Sequence, residues 1–217
     1  MSNFEYIIAS LPYLTLDYRY AEGSGFEKVL EEIRRDLSER DLALLEDLLK
    51  GFDGAQLDAS FYAGMLRHKN RFLREYFRFD LNLRNAKVRY LNAQLGRDPG
   101  QDLLTGKGSE DDDPGELDID LNRFTGGEFE EGGKVDQALA ESDLIARERN
   151  LDELVWAKID ALATFHYFDM TAVLAYVAKL HIVDRWLSLD EAAGRELFHK
   201  LVKEVKSTFK GVKYEEK

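Results

Sequence analysis

Apolar residues recur at steps of three and four residues along most of the chain, which places them on one face of a helix. The longest region with this spacing runs from Leu144 to Val205. Asp169 and Ser188 interrupt it, and both are good N-caps because their side chains accept hydrogen bonds from free backbone N–H groups. We therefore predict three helices that can pack antiparallel. Their apolar stripes are Leu151, Leu154, Val155, Ile159, Leu162 and Phe165; then Met170, Val173, Leu174, Val177, Leu180 and Val183; then Leu197, Phe198, Leu201, Val202 and Val205.

Helical spacing also organises the first fifty residues. A helix is predicted from Phe26 to Leu37, and Ser38 is expected to cap the next one, which Gly51 ends. The short apolar run from Phe4 to Leu11 fits both a strand and a buried helical turn, because so few residues carry no distinct period.

The middle of the chain is rich in aromatic residues. We predict a long helix from Ala59 to Phe79, with Asp80 as the N-cap of a further helix from Leu81 to Leu95 that ends at Gly96. The second of these helices is unusually polar. One hypothesis makes its polar side a solvated face, and the other makes it a partner-binding surface.

Two segments share a pattern that fits either an internal repeat or two independent helix starts, each with an Asp cap preceded by apolar residues. Both Tyr76 to Leu81 and Phe165 to Met170 contain an aromatic cluster, then Phe-Asp, then a predicted helix. The fold class we predict is all-α, with antiparallel helical bundles, and two related bundles are one form that this fold can take. We expect an N-terminal bundle (1–96), a loop or insertion (97–134) and a C-terminal bundle (135–217), although one compact unit also fits.

Residues 97–134 depart from the helical pattern. Glycine, proline, serine and acidic residues accumulate there, which is typical of a long connection. Loops of this length are either functional or disordered. We predict an acidic, glycine-rich loop that is disordered around residues 110–114, with helix resuming near Val135.

Composition narrows the class of partner. The 217 residues include no cysteine, which excludes disulfides, thiolate metal sites and cysteine nucleophiles. The formal net charge of −12 argues against nucleic acid and anionic lipid as partners, whereas a basic protein partner is compatible with it.

No apolar run approaches the roughly 20 residues of a membrane-spanning helix. The N-terminus lacks the basic region of a signal peptide.

Motifs for bound groups or catalysis are incomplete. Thr105 to Ser109 has the letters of a phosphate loop, but lacks its upstream glycine and its Lys-Ser/Thr pair. An acidic stretch has the spacing that opens a calcium loop, but Arg123 and Phe129 stand where glycine and glutamate are required. That stretch contains Asp118, Asp120 and Asn122. We therefore expect no cofactor, no metal site and no enzymatic activity of the isolated chain.

Three stretches carry a resemblance to a known family. They are FEYIIASLPYL, FDLNLRNAKVRYLNAQLGRD and LDELVWAKIDALATFHYFDMTAVLAYVAKLHIVDRW. They resemble an uncharacterised bacterial family associated with V-type (A/V-type) ATP synthase gene clusters. The later two are also similar in style to the C-type subunit of V-type ATPases, the eukaryotic form of which is called d. The matching pattern would comprise Asp80, Leu81, Asn82, Leu83, Arg84 and Asn85, with a Leu-Ala-Tyr run at Leu174, Ala175 and Tyr176.

The resemblance implies a non-catalytic role. The C-type subunit of that family is a funnel of helices that sits on the membrane rotor ring, receives the foot of the central shaft and transmits torque in proton or sodium transport. It is longer and has three bundles, so this chain would be a shortened C-like subunit or a separate product of the same operons. The resemblance implies rotor or shaft subunits as partners. It also implies a cytoplasmic location, peripheral to the inner membrane only through the complex.

Two sets of residues are expected to line the partner surfaces, because buried aromatic and arginine anchors dominate binding energy. They are Arg84, Asn85, Arg89 and Tyr90 in one half, and Tyr176, His181, Arg185 and Trp186 in the other. Core packing is the alternative for Tyr176 and Trp186.

Two other functions stay open. One is a helical adaptor or assembly factor that binds a protein partner. The other is an enzyme of an unfamiliar helical type that uses His166, Tyr167 and Asp169 in a pocket. A deep cavity with converging polar groups would favour the enzyme.

Overall fold

A computed structural model describes residues 2–15, 25–104 and 129–189, and this part of the chain is all helical, with no strand. The all-α prediction is confirmed. A single turn of 3₁₀-helix, Gly54–Gln56, lies between the third and fourth helices. The α-helices are α1 (Phe4–Ser10), α2 (Phe26–Asp36), α3 (Glu39–Lys50), α4 (Ala59–Leu66), α5 (Arg71–Gln94), α6 (Gly132–Leu139), α7 (Leu144–Ala163) and α8 (Met170–Leu187).

Several predicted helix ends are confirmed by their capping bonds. The Ser38 hydroxyl accepts the Asp41 N–H at 3.3 Å at the start of α3. The Asp169 carboxylate accepts the Ala172 N–H at 3.1 Å at the start of α8. Gly96, just after α5, has a φ of +66°, a backbone conformation that glycine adopts without steric cost. The ambiguous N-terminal run is the helix α1.

The predicted break at Asp80 is wrong. α5 runs unbroken for 24 residues, and its N-cap is Asn70, whose side chain accepts the Leu73 N–H at 3.2 Å. Neither glycine nor proline occurs between residues 71 and 94, so nothing in the sequence interrupts the helix. The preceding helix α4 ends at Leu66, not at Phe79. The two similar segments therefore differ in structure, because Asp169 caps a helix and Asp80 lies inside one.

The main hydrophobic core contains residues from both halves of the chain. α8 contacts α1, α2 and α3, and its fully buried Leu174 and Val177 belong to the same cluster as Ile33 and Leu45. A smaller core lies between α5, α6 and α7; its buried members are Phe79, Leu83, Val135, Ala138, Leu139 and Leu151. The division at residues 96 and 134 stays a prediction.

Several predictions fall outside the described residues. They are the phosphate-loop letters, the calcium-like spacing, the disorder around residues 110–114 and the third predicted stripe from Leu197 to Val205. Within the described ranges, α6 begins at Gly132, three residues before the predicted Val135. None of the described helices has the length and apolar character that crossing a membrane requires.

Candidate functional site

A polar groove of about 490 Å³ lies between α5, α7, α8 and the turn after α3. We call it the charged groove. Its floor and walls include Phe52 and Tyr76, which add aromatic surface. Its charged side chains and its imidazole are Asp80, Arg84, Lys87, Asp152, His181 and Arg185. Because α5 and α8 both contribute, residues about a hundred positions apart meet here.

Asp80 anchors the α5 side of the groove. Its carboxylate accepts a hydrogen bond from the Tyr62 hydroxyl on α4 and one from Arg84 Nε at 3.3 Å, one helical turn along α5. Burial raises the pKa of the Asp80 carboxyl, and the bonds from Tyr62 and Arg84 oppose that rise. Burial and the neighbouring carboxylate raise the pKa of Tyr62 above its ordinary value, so its hydroxyl keeps its proton and remains a donor.

Asp152 joins α7 to α8. It is 6% exposed, and its carboxylate accepts the indole N–H of Trp186 at 2.6 Å and a bond from the Arg185 guanidinium. A buried carboxylate needs such partners, because an unpaired charge away from water is costly. The bond from the guanidinium holds Arg185 at the edge of the groove, and the bond from the indole holds Trp186 beside it.

His181 lies against the turn that follows α3. Its ring stacks on Phe52 with centroids 3.9 Å apart and planes 2° from parallel. Burial, with a further contribution from the positive charge of Arg185, lowers the pKa of His181 to about 4. The imidazole is therefore neutral at physiological pH and supplies a flat, partly apolar surface with a polar edge.

The charges of the groove differ in sign from those of the whole chain. Three cationic and two anionic side chains line it, whereas the chain carries a formal charge of −12. Arg84 and Arg185 keep 39% and 45% of their side-chain surface exposed. Such an arrangement can bind an acidic group or a polar protein surface, with the cations held in place by carboxylates behind them.

The structure brings together part of the predicted partner-binding set. Arg84, His181 and Arg185 line the charged groove, and Trp186 is held beside it by Asp152. The core-packing alternative for Trp186 is supported in part, since the residue is half-buried against the main core.

The other four predicted residues lie elsewhere. Asn85 is 1% exposed and does not line a surface, because its amide donates to the Leu104 carbonyl at 3.1 Å and accepts the Leu104 N–H at 3.0 Å. Arg89 is exposed outside the groove. Tyr90 lies beneath the Arg147 guanidinium, and the Tyr176 hydroxyl donates to the Pro12 carbonyl at 2.8 Å.

Sequence reasoning missed Lys87, Tyr62, Asp152 and the role of Asp80. Two signals were present. Asp152 shares a helical face with Trp156 and Ile159, and an acid among core positions indicates a buried pair. The absence of glycine and proline around Asp80 indicates a position inside a helix. Neither signal names the partner on another helix.

The loop between α7 and α8 holds the residues of the enzyme hypothesis. His166 and Tyr167 are exposed, and His166 Nδ1 lies 2.6 Å from the Asp169 carboxylate. They stand on a surface loop and not in a deep cavity. Among the described residues, no group of three His, Asp or Glu side chains is placed to hold a metal ion.

No curated protein and no solved structure matches the chain at significant similarity. A family described as protein of unknown function (DUF2764) matches residues 52–209, which include every residue of the charged groove except Gly51 and well over half of the chain. The chain therefore belongs to the DUF2764 family.

Proposed function

We propose that this protein is a non-catalytic subunit or accessory protein of a V-type ATP synthase. In this role it couples rotor ring and shaft in the manner of the C/d-type stalk subunit and associates with the membrane only through its partners. The observation that carries the proposal is the charged groove, where Arg84 of the N-terminal half meets His181 and Arg185 of the C-terminal half. Arg84 lies in the stretch FDLNLRNAKVRYLNAQLGRD, and His181 and Arg185 lie in LDELVWAKIDALATFHYFDMTAVLAYVAKLHIVDRW. The resemblance of these two stretches to the V-type family supports the same assignment.

The physics of the groove suits protein binding. The half-buried Asp80 and the buried Asp152 bond to Arg84 and Arg185, so a partner meets arginine side chains that have already lost part of their conformational freedom. Arginine is enriched at interface hot spots, and the stacked pair of His181 and Phe52 offers a flat surface beside it. Transmission of torque also needs stiff helices, and α5 spans 24 residues without a break.

A second feature favours the adaptor or assembly-factor alternative. The loop between α7 and α8 exposes three aromatic side chains, Phe165 at 84%, Tyr167 at 67% and Phe168 at 59%. Contiguous exposed apolar surface marks interaction sites, and aromatic residues are enriched in them. A transient partner that docks on this loop would not require the charged groove.

The test is affinity purification of the tagged protein from its native host, with and without mild detergent, followed by mass spectrometry. The wild type is compared with the double variant Arg84→Ala/Lys87→Ala, which removes two partly exposed cations from the groove. Arg89→Ala is the matched control, because Arg89 is an exposed arginine on the same helix outside the groove. Circular dichroism checks that all three proteins keep their helical content.

We expect V-type rotor and shaft subunits in stable proportion with the wild type and with Arg89→Ala, and their loss with the double variant. Absence of these subunits from the wild-type preparation under both conditions would overturn the proposal. Equal recovery with the double variant would show that the partner binds elsewhere, and variants of the aromatic loop would then be compared.

A further inference from the structure

A second pocket, of about 360 Å³, lies on the opposite side of α5 from the charged groove. We call it the acidic pocket. Helical spacing places Glu75, Phe79 and Asn82 on one face of α5, away from the face that carries Asp80 and Arg84. The segment that leads into α6 and the middle of α7 close it. Its remaining lining residues are Arg78, Phe129, Glu130, Glu131 and Lys158.

Asn82 is the residue that most directly indicates a ligand in this pocket. The residue is 7% exposed, and its buried Oδ1 receives no hydrogen bond from any of residues 2–15, 25–104 or 129–189. A buried acceptor without a donor is energetically unfavourable, and native structures contain few of them. An N–H donor supplied from outside the described residues would satisfy this oxygen.

The charged side chains of the pocket also favour a ligand that donates hydrogen bonds. Three carboxylates face two cations, so the formal charge is negative. Arg78 pairs with Glu75, and Lys158 pairs with Glu131 at 2.6 Å. Glu130 has no ion-pair partner among the described residues. One carboxylate and one amide oxygen thus remain as acceptors.

The walls of the pocket are partly aromatic. Phe79 and Phe129 meet edge to face with ring centroids 5.8 Å apart, and the Lys158 ammonium lies 5.7 Å from the Phe79 ring. The negative face of an aromatic ring attracts cations, and the planar guanidinium stacks on it more readily than an ammonium does. Phe79 is 3% exposed and already faces Lys158, so the half-buried Phe129 is the ring of this pocket that is open to stacking by a planar cation.

We propose that the acidic pocket binds a guanidinium group, the side chain of an arginine presented by a protein partner. A guanidinium carries five N–H donors in a planar fork and has no acceptor of its own, which matches a pocket of carboxylate and carbonyl oxygens. The volume accommodates one such side chain. The overall charge of −12 attracts a basic partner to the chain. The proposal does not depend on the V-type assignment, because it uses none of the residues of the charged groove.

The experiment measures binding to the full chain by isothermal titration calorimetry, with acetyl-Gly-Arg-Gly-amide as the probe. The lysine analogue tests the guanidinium, and agmatine tests whether the side chain alone is sufficient. The variants are Asn82→Leu and Glu130→Gln, which remove the two acceptors without a partner in the described part of the chain, and both are expected to weaken binding of the arginine peptide. Glu153→Gln is the matched control, because Glu153 is an exposed carboxylate on α7 outside the pocket. Thermal unfolding of each variant is recorded in parallel.

We expect the arginine peptide to bind the wild type and Glu153→Gln equally, and the lysine peptide to bind more weakly. Asn82→Leu is expected to weaken binding about tenfold, which is about 1.4 kcal/mol, while its melting temperature is unchanged or higher because a buried unsatisfied oxygen is removed. Absence of arginine-peptide binding to the wild type, or equal binding to Asn82→Leu, would overturn the proposal. Binding of agmatine without binding of the peptide would overturn the assignment to a protein side chain.

Discussion

At the scale of single residues, His181 shows how far the surroundings change the chemistry of a side chain. Its pKa of about 4 lies below the ordinary value of 6.5 because the ring is buried and Arg185 is near. The unfolded chain therefore binds more protons than the folded one between these two pH values. Stability contributed by the neutral imidazole is complete above pH 6.5 and is lost as pH falls towards 4.

This difference gives a prediction for the variant His181→Phe, which keeps a ring against Phe52 but does not titrate. Between neutral pH and pH 4, the wild type should lose up to about 3 kcal/mol more unfolding free energy than the variant. The measurement is urea unfolding of both proteins over that range. Carboxylates that titrate in the same range affect both proteins alike, so parallel stability curves would contradict the prediction.

Asparagine and aspartate residues with similar sequence contexts have different roles in this protein. Asp169 caps a helix, Asp80 bonds to Tyr62 from within a helix, and Asp152 joins two helices. Asn85 fixes Leu104, whereas the Oδ1 of Asn82 has no donor in the described part of the chain. The local sequence permits each of these roles, and the side chains that lie opposite decide among them.

At the scale of elements, α5 organises both candidate sites. One of its faces carries Asp80 and Arg84 in the charged groove, and another carries Glu75 and Asn82 in the acidic pocket. The two sites share one helix only because α5 continues through Asp80 without a break. A break there would point the two halves of the helix in different directions and would separate Tyr76 from Arg84.

The contribution of the α5 N-cap, Asn70, to stability can be tested by substitution. Asn70→Ala removes the acceptor of the Leu73 N–H and should destabilise the protein by about 1 kcal/mol. Asn70→Asp keeps an acceptor and should restore most of the stability, with an added benefit from a negative charge at the helix N-terminus. Thermal or chemical unfolding monitored by circular dichroism measures both. Equal stability of Asn70→Ala and the wild type would mean that the cap contributes little.

At the scale of the whole molecule, α8 connects the two halves of the chain. It packs on α1, α2 and α3 through the main core and on α7 through the bonds to Asp152. Because the charged groove takes residues from α5 and α8, its geometry depends on this packing. Partner binding and global stability are expected to be coupled for that reason.

A substitution at Leu174 tests whether the two halves of the chain unfold together. It is fully buried in the main core, so Leu174→Ala should destabilise the protein by about 2–5 kcal/mol through lost burial and the cavity that remains. We expect one cooperative transition, with hydrogen exchange rising in α2 and α3 as well as in α8. Leu144→Ala is the control, because Leu144 is 65% exposed and its loss should change stability by less than about 0.5 kcal/mol. Faster exchange confined to α7 and α8 would indicate that the halves unfold separately.

The sequence by itself determined the helical class, the bounds of α2 and α3, the start of α8 and several caps. These depend on the spacing of apolar residues and on side chains within three or four positions, as at Ser38 and Asp169. It also identified Arg84, His181 and Arg185, although only as members of two separate sets.

The tertiary structure alone decided which of the predicted residues meet. The burial that neutralises His181, the Tyr62 hydroxyl that bonds to Asp80 and the indole that bonds to Asp152 come from other segments of the chain. No local period encodes those distances. Helix formation is a property of neighbouring residues, whereas the desolvation and pairing of a charge depend on segments far away in the chain.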